Sequence, residues 1–261
     1  MPVLGLGVYR NYTTRDSVLE AFSAGYRHVD TAQAYRNEAH VGEALRESGL
    51  ARSAVFITTK CISRDHGYDK TLRGVEASLG RIGGGYIDLF LIHDPYSGKE
   101  RRLETYRALL DCKKAGTVRS VGVSNYGIKH LEEIREAGME VPSVNQIELH
   151  PLCQQRPIVE YCRQNGIVVQ AYSPLVQGKM DHPSRLSSRA SPQYGKDAAQ
   201  ILIRWSLQKG LVPLPKSANP KRIQSNTQVF DFELEAEDMD TLDALDQGAD
   251  GAVTWNPVNA D

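Results

Sequence analysis

Short apolar runs recur along the chain at intervals of roughly 20 to 40 residues, and the stretches between them carry apolar residues at helical spacing. The runs predict strands near 3–8, 26–30, 55–60, 86–92, 118–124, 143–147, 167–172 and 211–215. The intervening periodicity predicts helices over 17–22, 39–47, 68–80, 101–115, 128–137, 155–165 and 196–209. Many of these stop at a glycine, among them Gly25, Gly49, Gly116, Gly138, Gly166 and Gly210. Eight strand-helix units in about 250 residues fit an α/β fold of the (β/α)8 barrel type better than a doubly wound sheet. No linker divides the chain, so residues 1–261 are expected to form a single barrel domain. The segment 175–195 reads as one long loop after a strand, and the tail 248–261 as a loop over the barrel mouth.

Composition narrows the partners. The 261 residues are 41% hydrophobic and can bury a sizeable core. A net charge of -1, from 31 basic and 32 acidic residues, creates no global field for nucleic acid or an anionic membrane. No apolar stretch approaches the roughly 20 residues that cross a bilayer, and the first residues lack the features of a signal peptide. A cytoplasmic, monomeric protein acting on a small molecule is the expectation. Cys61, Cys112, Cys153 and Cys162 show neither a CxxC pair nor metal-ligand spacing and are read as reduced structural thiols. No metal is expected.

Candidate chemistry lies where the apolar runs end. Asp30 closes one run and Tyr35 follows it by five residues, Lys60 closes another, and His93 a third. In a parallel barrel these ends converge on one mouth, so four polar groups distant in sequence meet around one substrate atom. A tyrosine is a poor acid at neutral pH, but an adjacent ammonium favours its phenolate and eases proton donation. Lys60 can supply that charge, Asp30 can keep Lys60 protonated, and His93 can donate a hydrogen bond to a carbonyl oxygen. The glycine-rich stretches Gly5-Leu6-Gly7 and Gly83-Gly84-Gly85 do not complete GxGxxG between strand and helix, so a nucleotide bound here is not held in the Rossmann manner.

Several blocks resemble the aldo-keto reductases of the single-barrel, NADPH-dependent kind: Leu4 to Arg10, Asp30 to Glu38, Leu91-Ile92-His93, Gly122-Val123-Ser124-Asn125, Asn145 to Pro151, Ala171 to Leu175 and Pro215-Lys216-Ser217. The resemblance implies Tyr35 as proton donor, tuned by Lys60 and Asp30, with His93 orienting the carbonyl. It implies Ser124, Asn125 and Gln146 as partners of a nicotinamide carboxamide, Tyr172 as the ring under it, and Ser173 and Leu175 as further cofactor contacts. The segment Lys216 to Asn226 resembles the family's adenosine 2'-phosphate loop. There Lys216 and Arg222 offer charge, Ser217 a hydroxyl, Asn226 an adenine contact, and a helix starting near Pro220 its N–H groups. NADP(H) follows as the expected cofactor.

Three departures from the family pattern stand out. The N-terminal hairpin that commonly covers the barrel floor is not evident, Asp94 follows His93 where relatives carry an aromatic, and Ser225 stands where a Glu often contacts adenine. Tyr9, Asp94 and Trp255 are the candidate substrate-pocket residues. An Asp94 facing the pocket would disfavour anionic substrates; turned away, it would cap a loop. The tail 248–261 contains no Lys, Arg or His, so neutral aldehydes or ketones are the expected substrates. The alternatives are the same chemistry run as an alcohol or polyol dehydrogenase, and a non-catalytic NADPH-binding sensor.

Overall fold

The computed structural model describes residues 1–178 and 193–261. Eight strands run β1 (Leu6–Gly7), β2 (His28–Asp30), β3 (Phe56–Cys61), β4 (Ile87–Ile92), β5 (Val118–Ser124), β6 (Val144–Glu148), β7 (Val168–Tyr172) and β8 (Val212–Leu214). They pair in that order, every pair parallel. The N–H groups of Gly5 and Gly7 donate to the carbonyls of Pro213 and Pro215 at 3.1 and 3.0 Å, which joins the first strand to the last and closes the barrel.

Helices fill the connections: α1 (Thr14–Ser23), α2 (Glu38–Glu47), α3 (Tyr68–Ile82), α4 (Lys99–Lys114), α5 (Ile128–Glu136), α6 (Arg156–Gln164) and α7 (Ala198–Gln208). Two more follow the last strand, α8 (Pro220–Ser225) and α9 (Ala236–Asp243). Helix α9 escapes sequence reading because Leu242 is its one buried residue, leaving almost no apolar stripe to detect. The first strand is shorter than its apolar run. Among the described residues no strand precedes it; Met1 instead places its sulfur 3.1 Å from Gln170 Nε2, on the inner face of β7. The expected loop 175–195 opens with a 3₁₀ turn, Val176–Gly178, and lies mostly outside the described residues.

Alternation along each strand sends one set of side chains outward to the helices and the other into the barrel. The outward set joins the helices in one large apolar cluster, while Leu89, Leu91 and Val144, packed by Phe56, form a separate small one inside. Gly122 belongs to the inner set and must be bare: a Cβ there would sit 2.6 Å from the Val144 carbonyl and 2.7 Å from Leu91 Cδ2. Val212 and Leu214 of β8 add apolar surface to the interior, and polar groups share the rest of it, with His28 Nε2 3.1 Å from Thr58 Oγ1 below and the candidate site above.

Candidate active site

Asp30 ends β2, Lys60 lies one residue from the end of β3, and His93 follows β4, its N–H bonded to the Cys61 carbonyl at 2.8 Å. Lys60 is fully buried, and its Nζ donates to Asp30 Oδ1 at 2.5 Å and to the Thr31 carbonyl at 2.9 Å. The ring of Tyr35 lies over this pair, its centroid 5.1 Å from Lys60 Nζ, and meets His93 edge-on at 5.6 Å. Tyr35 is carried by a 3₁₀ turn, Gln33–Tyr35, that Arg36 closes in the left-handed region at φ 57°. Gln33 pins the turn to α3 through Gly74 O at 2.9 Å and Ser78 Oγ at 3.0 Å. Asn37 ties its other end to the Val8 carbonyl at 2.9 Å and to Thr31 Oγ1 at 2.6 Å. The four residues singled out in sequence are thus brought together.

The electrostatics of the tyrosine differ from the sequence expectation. Burial, followed by the Asp30 carboxylate and the phenols of Tyr172 and Tyr9, pushes the Tyr35 pKa well above its ordinary value, so the group is a phenol with a proton to give. Lys60 spends its charge on Asp30; burial lowers its own pKa and Asp30 works against that. Burial, then the charge of Lys60 and His66, holds the His93 pKa well below the usual range, so the ring is neutral at physiological pH. His93 Nδ1 is buried with no hydrogen-bond partner among the described residues. The tautomer with the proton on Nε2 avoids stranding a buried N–H and leaves a donor on the other ring nitrogen.

A cavity of about 1780 Å³ opens over this cluster. Its walls include every candidate site residue except Lys60, which lies beneath, and Asp94. On one side Ser124 Oγ donates to the Gln146 carbonyl at 2.8 Å, and Asn125 Nδ2 to the His93 carbonyl at 3.0 Å. Asn125 and Ser173 both sit in the left-handed region, at φ 61° and 52°, so two strand ends are bent sharply into the cavity. The Tyr172 hydroxyl lies 2.9 Å from Asn125 Oδ1 and 3.0 Å from the Trp255 carbonyl, which holds its ring at the wall. Lys216, Ser217, Arg222, Ser225 and Asn226 line the same cavity from the chain following β8. Helix α8 is short, and its Arg222 N–H is already taken by the Asn219 side chain at 3.2 Å.

The family model described as Aldo/keto reductase family matches residues 7–247. The chain belongs to this family, whose members are oxidoreductases. It is 46% identical over 252 residues to an aldo-keto reductase of Mycobacterium sp. (strain KMS), covering 95% of this chain and 91% of the relative. It is 43% identical over 261 residues to the glyoxal reductase of Bacillus subtilis (strain 168), covering 98% of this chain and 92% of the relative. Among solved structures, the Bombyx mori aldo-keto reductase in complex with NADP superposes with a TM-score of 0.91 at 32% identity, over 98% of this chain and 92% of that one.

The rim of this aldo/keto reductase corrects one pocket assignment. Asp94 is buried, and its carboxylate accepts the N–H groups of Ser63 at 3.1 Å and Tyr96 at 3.2 Å. Two backbone donors unmet elsewhere turn it into the loops, so it caps them and is absent from the cavity wall. Tyr96, which the sequence reading passed over, backs the rim residue Trp255 from outside the cavity wall. It stacks on Trp255 at 5.9 Å and receives the indole N–H at 3.1 Å, while Trp255 meets His93 edge-on at 6.1 Å. Tyr9 packs on Tyr35 at 4.9 Å, and Arg10, 5.2 Å from the Tyr9 ring, adds a cation to the wall. No motif marks Tyr96, because its place depends on where the distant tail puts Trp255. Cys61, beside Lys60 in sequence, is buried, and burial drives its thiol pKa upward, so it is not an activated nucleophile.

Proposed function

We propose that this protein reduces the carbonyl group of a small aldehyde or ketone to the alcohol, with NADPH as reductant and Tyr35 as proton donor. The observation that carries this reading is the fully buried Lys60, bonded to Asp30 at 2.5 Å under the Tyr35 ring, with His93 on the same cavity. NADP(H) fits the lining: Ser124, Asn125 and Gln146 offer the mixed donors and acceptors a carboxamide needs, and Tyr172 offers a flat aromatic face. Ser173 and Leu175 continue that wall. Lys216, Ser217 and Arg222 suit a phosphate, and Asn226 an adenine edge. When bound, NADPH supplies the hydride that the carbonyl carbon requires.

The residues of the chain do the rest. His93 holds the carbonyl oxygen with its ring N–H, which fixes the plane in which the carbonyl is attacked. The Tyr35 O–H gives its proton to that oxygen as negative charge develops there, completing the alcohol. The phenolate left behind has the Lys60 ammonium over its ring, 5.1 Å from the centroid, and Asp30 keeps that ammonium charged. Tyr9 and Trp255 give the substrate an aromatic rim. Asp94 places no charge there and Arg10 places a positive one, so charge repulsion does not exclude acidic aldehydes. Small dicarbonyls come first in a substrate panel, since the Bacillus relative is named a glyoxal reductase.

The test compares wild type with Tyr35→Phe, following NADPH consumption with glyoxal and with neutral and acidic aldehydes, and NADPH binding by fluorescence. Turnover is expected to fall at least about 100-fold in the variant with binding retained. Turnover within about tenfold of wild type would remove Tyr35 from the mechanism. A wild type that binds NADPH and reduces nothing in the panel would make the protein a nucleotide binder instead.

A further inference from the structure

Gln170 faces Gln146 across the β6–β7 ladder, and both side chains are buried inside the barrel. Gln146 Nε2 donates to Gln170 Oε1 at 2.7 Å and to Asp30 Oδ2 at 2.7 Å. Asp30 uses its other oxygen for Lys60. A carboxylate only accepts, so the Gln146 amide must turn its nitrogen toward Asp30. Its second N–H then needs an acceptor in a place closed to solvent, and Gln170 Oε1 is that acceptor. Gln170 is itself oriented by Met1 Sδ, 3.1 Å from its Nε2, since a thioether offers no donor. With both N–H groups engaged inward, Gln146 has its carbonyl oxygen left for the cavity that it lines.

We infer that Gln170 is a positioning residue for the cofactor: by accepting one N–H of Gln146 it fixes that amide with Oε1 toward the cavity, ready to accept from the carboxamide of NADP(H). This rests on the cofactor reading above. Loss of the acceptor strands a buried N–H on Gln146 and frees the side chain to rotate, so a carboxamide then meets an unaligned partner. Gln170 touches neither substrate nor proton donor and acts only through Gln146.

The experiment measures the NADPH dissociation constant by fluorescence titration for wild type, Gln170→Met, Gln170→Glu, Gln146→Ala and the Gln146→Ala/Gln170→Met double variant, with thermal melts to establish that each is folded. Gln170→Met keeps the volume and removes the strong acceptor, and is expected to weaken binding about tenfold. Gln170→Glu keeps an acceptor oxygen in place and is expected to restore binding to within about twofold of wild type. In the Gln146→Ala background the Gln170→Met change is expected to cost nothing further, because the residue through which it acts is gone. Unaltered binding in Gln170→Met, failure of Gln170→Glu to restore it, or an equal loss in the Gln146→Ala background would overturn the inference. Absence of NADPH binding by wild type would instead overturn the cofactor reading beneath it, and the inference with it.

Discussion

Lys60 has no exposed surface, and what makes an amine tolerable there is the Asp30 carboxylate at 2.5 Å. Removing one partner of such a pair costs far more than removing both, because the survivor keeps its desolvation penalty and loses its compensation. Asp30→Ala is therefore expected to destabilise the fold by about 3–5 kcal/mol in urea unfolding. The double variant Asp30→Asn/Lys60→Met should lie much closer to wild type in stability while reducing no carbonyl. Equal destabilisation in the two would mean that packing, not charge, governs this spot. That Lys60 and Asp30 meet is legible in the sequence, since each closes an apolar run and parallel strands bring such ends together. The direction of the Tyr35 pKa is not: it depends on how much of the ring is buried and on which neighbour takes the charge of Lys60.

At the scale of elements, the tail after α9 is built into the site by a single buried carboxylate. Glu148, at the end of β6, accepts the N–H of Val253 at 2.6 Å and of Thr254 at 3.2 Å, the Thr254 hydroxyl, and His150 Nε2 at 2.9 Å. Burial works to raise its pKa, yet these hydrogen bonds bring it below the ordinary carboxyl value. Gly251 lets the tail approach, since a Cβ there would fall 1.8 Å from the Leu152 carbonyl. Trp255 is delivered to the rim by this anchor. Glu148→Ala should remove the acceptor that the Val253 and Thr254 N–H groups share and raise amide exchange at Val253 to Trp255 by about tenfold or more, read by hydrogen-exchange mass spectrometry. Unchanged exchange there would show that Tyr172 and Tyr96 hold the tail without Glu148. The sequence reading places the tail over the mouth but cannot name its anchor, because the contact joins residues about a hundred positions apart.

For the molecule as a whole, a barrel with a partly polar interior has a characteristic sensitivity to acid. Burial lowers the His28 pKa to about 3, and the unfolded chain takes up that proton near its ordinary value of about 6.5. Between those limits the unfolded state binds more protons. Stability from this group is complete above about pH 6.5 and lost as pH falls toward about 3, at about 1.4 kcal/mol per unit. Urea unfolding at a series of pH values should show a shallower acid dependence for His28→Gln than for wild type; parallel curves would mean that His28 titrates alike in both states.

The amino-acid sequence by itself determined the alternation of strands and helices, the barrel class, the family and the four groups at the strand ends. Each of these follows from local periodicity, or from short motifs whose spacing survives folding. Tertiary structure alone decided that Asp94 caps loops while Tyr96 backs Trp255 at the rim, that the Tyr35 phenol holds its proton, and that Gln170 stands behind Gln146. Those outcomes depend on which donor reaches which acceptor across the barrel and on how much water is excluded there, quantities that arise only when distant segments pack together.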